Sequence, residues 1–437
     1  MKAKKLFASL LCAASAMTMT ACSSSSSSAP AESEASSSSS DKITVWAWDE
    51  NFNIKALQVA EEMYAKENPD LDIEIVTMSQ DDIVQKLNTS LSSGKVDGLP
   101  NIVLIEDYRI QGYLKSYPDS FEDLSSIVNE NDFMSYKFAV NKEGDKIYGV
   151  PFDSGVAGLF YRTDYFEEAG YTADDMQDIT WSEYIEMGKK VKETTGHDML
   201  TMDPSDLGLI RMMLQSANSW YLDEDGTTVT LAGNEVLEKA IETYKDIFDS
   251  GFVKQVADWD SFVSGFQSGD VATVPTGCWI APSIEKVADQ SGKWAIAPFP
   301  RLDGIADSKN ATSIGGGGWY VVKGVAGAQQ AIDFLGKTFA SNVDLMDQLA
   351  TDISLVSTLK AAADTETYKQ PVEFFSNQPV FEDFSNWASQ VQAVNYGLHT
   401  YTIEDILAEA VQAYVHGGDL NDVLQQAQQQ AEGAVNY

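Results

Sequence analysis

From Ile43 onward the chain alternates branched and aromatic side chains in a period of two, which predicts a strand over 43–48. Apolar positions then recur every three to four residues (Ala56, Val59, Ala60, Met63, Tyr64). That spacing predicts a helix over 55–66, stopped by Pro69. A second strand at 71–76, an amphipathic helix at 81–91 ending near Gly94, and a short apolar strand at 101–105 follow. Strand–helix–strand–helix–strand in this order implies a parallel sheet with helices packed on it.

The rhythm then changes. Residues 147–152 and 156–161 read as two closely spaced strands. Thr180 and Glu183 have the spacing of a capping box and predict a helix running to Val191. Helices are expected at about 205–216 and 234–249. Residues 258–266, 271–274, 280–288 and 294–297 repeat a helix–strand alternation. A β segment at 319–322 leads into helices at 325–340 and 342–350, and the chain from Phe381 onward reads as almost entirely helical. Two α/β units are expected, with no internal repeat. No Pro/Gly/Ser-rich linker divides them, so the chain is expected to cross between them more than once.

The first forty residues follow another pattern. Lys2, Lys4 and Lys5 precede an apolar stretch from Leu6 to Ala21, the layout of a secretory signal over 1–21. Thr20-Ala21-Cys22 resembles a bacterial lipobox, which makes Cys22 the expected lipid anchor. Residues 22–40, nearly all Ser, Ala and Glu beyond the cysteine, have nothing apolar to bury and are expected to form a disordered tether. This places the protein on the extracellular face of a bacterial membrane. With Cys12 removed and Cys22 modified, Cys278 is left without a partner for an internal disulfide.

Composition narrows the chemistry. Acids outnumber bases 66 to 29, a formal charge of −37. A chain this acidic is not expected to bind nucleic acid, and like charge favours a soluble monomer. Asp223-Glu224-Asp225-Gly226 lacks calcium-loop spacing and reads as a turn before a strand at Thr227–Leu231. No P-loop, H-E-x-x-H, G-x-S-x-G or C-x-x-C motif occurs, and the three histidines are scattered. No catalytic residue, cofactor or metal is expected. With so many acids, a glycosidase carboxylate pair stays open.

In an open α/β sheet a ligand crevice lies beyond the carboxyl ends of the strands. Trp48, Asp49 and Asn51 stand at that end of the first strand, and Asp107 at that end of the third. Asp49 and Asn51 could equally cap the helix that follows; Asp107 could also cap one, but a ligand role is favoured for it.

The signal, the tether and the ordered segments ITVWAW, SSGKVDGLPNIVLIED, YGVPFDSGVAGLFYRTDYFEEAG, FQSGDVATVPTGCWIAP and GGGGWYVV resemble the family-1 extracellular solute-binding proteins of ABC importers. The AWDENFN stretch is most similar to binders of lactose- or arabinose-type sugars. The resemblance implies a periplasmic-binding-protein-like type II α/β fold, with two lobes, a multi-crossing hinge and a sugar held between them. One lobe would comprise 41–152 and 313–365, the other 153–312 and 366–437. Asp107 would bind sugar hydroxyls, Asp153 and Ser154 would touch ligand at the first crossing, and Trp279 would stack on a sugar ring. Gly316 would pass close to ligand, and Trp319 would follow it into the cleft. Tyr108 stands where maltose binders of the family carry Arg. Trp220 could line the second lobe or pack on it. The implied partners are a carbohydrate and ABC permease subunits. The rival expectations are a surface-tethered glycoside hydrolase and a same-fold receptor for a polyamine, peptide or metal. A tryptophan that serves ligand alone predicts that Trp279→Ala removes binding while barely changing the melting temperature of the empty protein.

Overall fold

The computed structural model describes residues 42–435. The signal segment, Cys22 and the serine-rich stretch lie outside the described residues. Strand β1 (Lys42–Ala47) pairs in parallel with β2 (Asp72–Thr77) and with β3 (Ile102–Glu106). The crossovers are helices Asn53–Ala65 and Gln80–Ser92. The first buries Ala56, Val59, Ala60 and Tyr64, four of the five periodic positions that predicted it, with Met63 half-buried. The second is capped by Ser79, whose side chain accepts from Asp82 N at 3.1 Å. A helix at Asp107–Ser116 and a hairpin of β4 (Lys142–Glu143) and β5 (Lys146–Ile147) lead to β6 (Gly149–Pro151).

The chain then enters a second sheet through β7 (Val156–Arg162), buried along its whole length. Strands β8 (Leu200–Met202) and β9 (Val253–Gln255) form a separate parallel pair. Antiparallel to β7 run β10 (Thr273–Gly277) on one flank and β11 (Trp294–Pro298) on the other, with β12 (Thr312–Ser313) pairing the start of β7. Strand β13 (Gly317–Val321) returns to the first sheet, antiparallel between β3 and β6, which gives the order β2-β1-β3-β13-β6. The first sheet is therefore mixed and the second antiparallel. Alternation of side chains carries no strand direction, so the sequence pattern could not separate the two. Only residues 152–155 and 314–316 connect the sheets at these two crossings.

The capping box forms as expected: Thr180 N donates to Glu183 Oε2 at 2.8 Å and starts helix Trp181–Thr195. Two expectations need correction. Beyond the DEDG turn there is only an isolated bridge between Leu222 and Val229, not a strand. The C-terminal region is three helices, Val380–Ala388, Thr400–Val415 and Leu420–Val435, and residues 389–399 are irregular.

The buried side chains separate by sheet face. Trp46, Val103 and Ile105 share one core with Ala157, Leu159 and Tyr161. Val45, Leu104 and Trp319 share the other with Val156, Phe160 and Val274. Each core thus serves both sheets. By contacts, all the described residues belong to one unit.

Candidate functional site

A cavity of about 340 Å³ opens where the carboxyl end of β3 meets β8, β10 and the crossing that follows β12. Its walls include Glu106 and Tyr108, Thr201 to Asp203, Asp206, Arg211, Asp258, Trp259, Trp279 and Gly315.

One wall is aromatic. Trp279 sits in a short 3-10 turn, Cys278–Ile280, just after β10. Its indole folds back over Gly277, where any Cβ would land on the ring, and Nε1 donates to Ile314 O at 3.0 Å. Trp259 opens helix Trp259–Gln267, which Asp258 caps by accepting from Ser261 N at 2.7 Å. The cap fixes the first turn and holds the indole outward. Among the described residues Trp259 is the exposed large hydrophobic, at 52 %. Its ring centroid lies 5.9 Å from Trp279 and 5.3 Å from Phe262. The three rings together make an aromatic surface on which an apolar face can stack.

Part of the lining is polar. Glu106 ends β3 and accepts from Gln80 Nε2 at 3.1 Å and from the Tyr401 hydroxyl. Asp203 accepts from Ser205 N at 2.9 Å, and Asp206 from Gly208 N at 2.8 Å, which orients both carboxylates within their loop. Arg211 lies over the Tyr108 ring, 5.0 Å from its centroid.

Behind the cavity the chain crossings are pinned by a buried ionic group. Lys137 is paired with Asp107, and the residues are 1 % and 2 % exposed. Asp107 N donates to Gly316 O at 3.1 Å, and Gly317 N to Asp153 Oδ1 at 2.9 Å. Gly316 holds φ at +88°, and a side chain there would collide with the Lys137 ammonium. Burial pushes the Asp107 carboxyl up to about 6 against the pull of Lys137, and burial also raises Asp153.

Of the residues singled out from sequence, Trp279 lines the cavity. Trp48 is half-buried in a separate crevice that shares Glu106 with the cavity wall. Asp49 accepts from Asn51 N at 2.8 Å and Phe52 N at 2.9 Å, ordering the turn before the first helix, and Asn51 is exposed. Asp107, Asp153 and Gly316 meet in the ionic group at the crossings. Ser154 is fully buried, with Oγ 3.6 Å from Cys278 Sγ. Trp220 is 3 % exposed, stacks on Tyr108 with centroids 5.7 Å apart, and donates to Thr400 Oγ1 at 3.2 Å. Trp319 is wholly buried between Phe152 and Phe339, at 5.1 and 5.3 Å. The structure places these last two indoles in packing, away from any open surface. Sequence reasoning missed Trp259, Asp203, Asp206 and Asp258. The one signal was a Trp between two acids in ADWDSF.

A model of the bacterial extracellular solute-binding protein family matches residues 60–376. A lactose-binding protein of Rhizobium radiobacter is 41 % identical over 388 residues, covering 89 % of this chain and 92 % of that one. An arabinooligosaccharide-binding protein of Bacillus subtilis is 25 % identical over 277 residues, 62 % of this chain and 63 % of that one. Among solved structures, the GacH receptor of Streptomyces glaucescens superposes with a TM-score of 0.75 at 18 % identity, over 90 % of this chain and 98 % of that one. That level of identity speaks to the fold.

Proposed function

Because this chain belongs to the bacterial extracellular solute-binding proteins, we propose that it captures a sugar or short oligosaccharide in the cavity beside Trp279 and delivers it to an ABC permease. The observation that carries this reading is that Trp259 and Trp279, 5.9 Å apart, line one cavity of about 340 Å³ together with Glu106, Asp203 and Asp258. A pyranose has an apolar C–H face and a rim of hydroxyls. Indoles cover the face, and carboxylates accept from the rim with charge-assisted hydrogen bonds. The volume falls within the range of small-molecule sites. Two relatives named for binding lactose and arabinooligosaccharides support the ligand class. Members of this family are binding proteins, and the reading requires no bond chemistry.

Within this reading the two sheets are the bodies that move, divided as the sequence suggests, and 152–155 and 314–316 are the hinge. Trp48, Asp49 and Asn51 stand at the carboxyl end of β1, from which they would close over the outer face of the ligand. Ligand binding favours the closed arrangement by its extra contacts there.

Calorimetric titration with lactose, maltose and arabinobiose tests the proposal. Binding of at least one is expected. Trp259→Ala is expected to weaken it by about 1–2 kcal/mol, because it removes one stacking ring. It should leave the melting temperature of the empty protein unchanged, since the indole is half in solvent. An unchanged affinity removes Trp259 from the site. The carboxylates also favour a second reading, a cationic ligand such as a polyamine. Spermidine binding without sugar binding would establish it and defeat the first.

No helix among the described residues is long and apolar enough to cross a membrane. We infer that Cys22 carries a lipid and tethers the chain. Cys22→Ser is expected to move the protein from the membrane fraction to the medium of a bacterial culture. Retention at the membrane would refute the anchor.

A further inference from the structure

Two residues of the cavity wall carry buried donor atoms that make no hydrogen bond within the protein. Arg211, on helix Gly208–Ser216, is 8 % exposed, and its Nε and Nη1 make no hydrogen bond. Tyr244, on helix Glu235–Phe248, is 1 % exposed, and its hydroxyl is likewise unsatisfied. Both side chains line the same cavity. Buried donors are nearly always paired, so two orphans on one wall need a common explanation.

Charge narrows what could satisfy them. The guanidinium already has two carboxylates beside it, Glu404 Oε2 at 3.4 Å from Nε and Asp206 Oδ1 at 3.5 Å from Nη2. They balance its charge without satisfying its donors. Glu106, Asp203 and Asp258 add three more carboxylates around the cavity. A carboxylate or phosphate on the ligand would enter this field with no uncompensated cation to meet it. A cationic ligand could pair with those carboxylates but would leave the two N–H donors and the hydroxyl unsatisfied. Uncharged oxygens fit both constraints.

We propose that Arg211 and Tyr244 form a donor pair that reads two uncharged acceptor oxygens of the captured sugar, and thereby makes the site select neutral over acidic sugars. The inference rests on the sugar-capture reading above and adds its specificity-determining residues. A ligand lacking either oxygen leaves a buried donor unpaired, the strongest form of discrimination open to a binding site.

The test is calorimetry on the full chain with lactose, maltose, arabinobiose and digalacturonate, using the wild type, Tyr244→Phe and Arg211→Lys. Tyr244→Phe removes a hydroxyl that makes no bond in the empty protein, so its melting temperature should match or exceed the wild type. Its affinity for whichever neutral sugar binds should fall about 3- to 10-fold. Arg211→Lys keeps the charge beside Glu404 and Asp206 but loses the planar fork, and affinity should fall about 10- to 100-fold. Digalacturonate should bind the wild type at least 10-fold more weakly than that sugar. Unchanged neutral-sugar affinity in both variants overturns the inference. So does preferential binding of digalacturonate, which leaves sugar capture intact. Failure of every sugar defeats the capture reading and the inference with it.

Discussion

Lys137→Met is expected to cost about 3–5 kcal/mol of folding stability at pH 8 and distinctly less at pH 5, as read by urea unfolding. The substitution removes the cation from a site where Asp107 is 2 % exposed and Asp153 is 6 % exposed. Methionine fills the stem's volume, so the loss reports the charge rather than a cavity. The pH dependence follows from the direction of the shift. Burial raises the Asp107 carboxyl to about 6, and Lys137 is the largest influence holding it down. A carboxyl whose folded value is raised keeps a proton that the unfolded chain gives up, so stability falls as pH rises from about 4 toward the folded value. In the wild type that fall ends near 6. Without Lys137 the folded value moves higher, and the fall continues into the range where the wild type is already level. The gap between the two proteins must therefore widen with pH. Equal gaps at pH 5 and pH 8, or a larger one at pH 5, would show that Asp107 does not titrate against Lys137.

Trp279→Ala is expected to weaken the sugar complex by about 2–4 kcal/mol, the loss typical of a central aromatic anchor. The structure changes one part of the sequence-based expectation. The indole also donates to Ile314 O at 3.0 Å and packs against both cores. The empty protein should thus lose about 1–3 kcal/mol as well, less than a fully buried tryptophan would cost. Comparison with Trp259→Ala separates the roles, because Trp259 has no such tie to the crossing. If Trp279→Ala lowers stability yet binds sugar as the wild type does, Trp279 is a brace for the crossing and the aromatic wall belongs to Trp259 alone.

The parallel strands β1 to β3 and their crossover helices were legible because two periods, two and 3.6, alternate cleanly over residues 43–105. The Thr180–Glu183 capping box was legible because its chemistry is local. The placement of β6 and β13 was not, since pairing between residues some 170 apart in sequence leaves no trace in either segment alone. The glycine run before Trp319 was read as close approach of backbone to ligand, and the structure adds a second object for one of its members. Gly316 makes room for the ammonium of Lys137, a residue that looks like a surface lysine in SYKF. Trp220 and Trp319 could not be told from site residues by type, because an indole serves packing and stacking equally well. Trp259 was hidden for a related reason. It fits the apolar face of the helix predicted over 258–266, and only the fold shows that this end of the face is open.

The thiol of Cys278 lies 1 % exposed against Ser154, where the first crossing meets the turn that carries Trp279, and burial pushes its pKa up to about 12. An alkylating reagent can reach it only during excursions that part those segments. The rate of its modification, followed by mass spectrometry with and without sugar, is thus a built-in clock for breathing at the pivot, requiring no mutation.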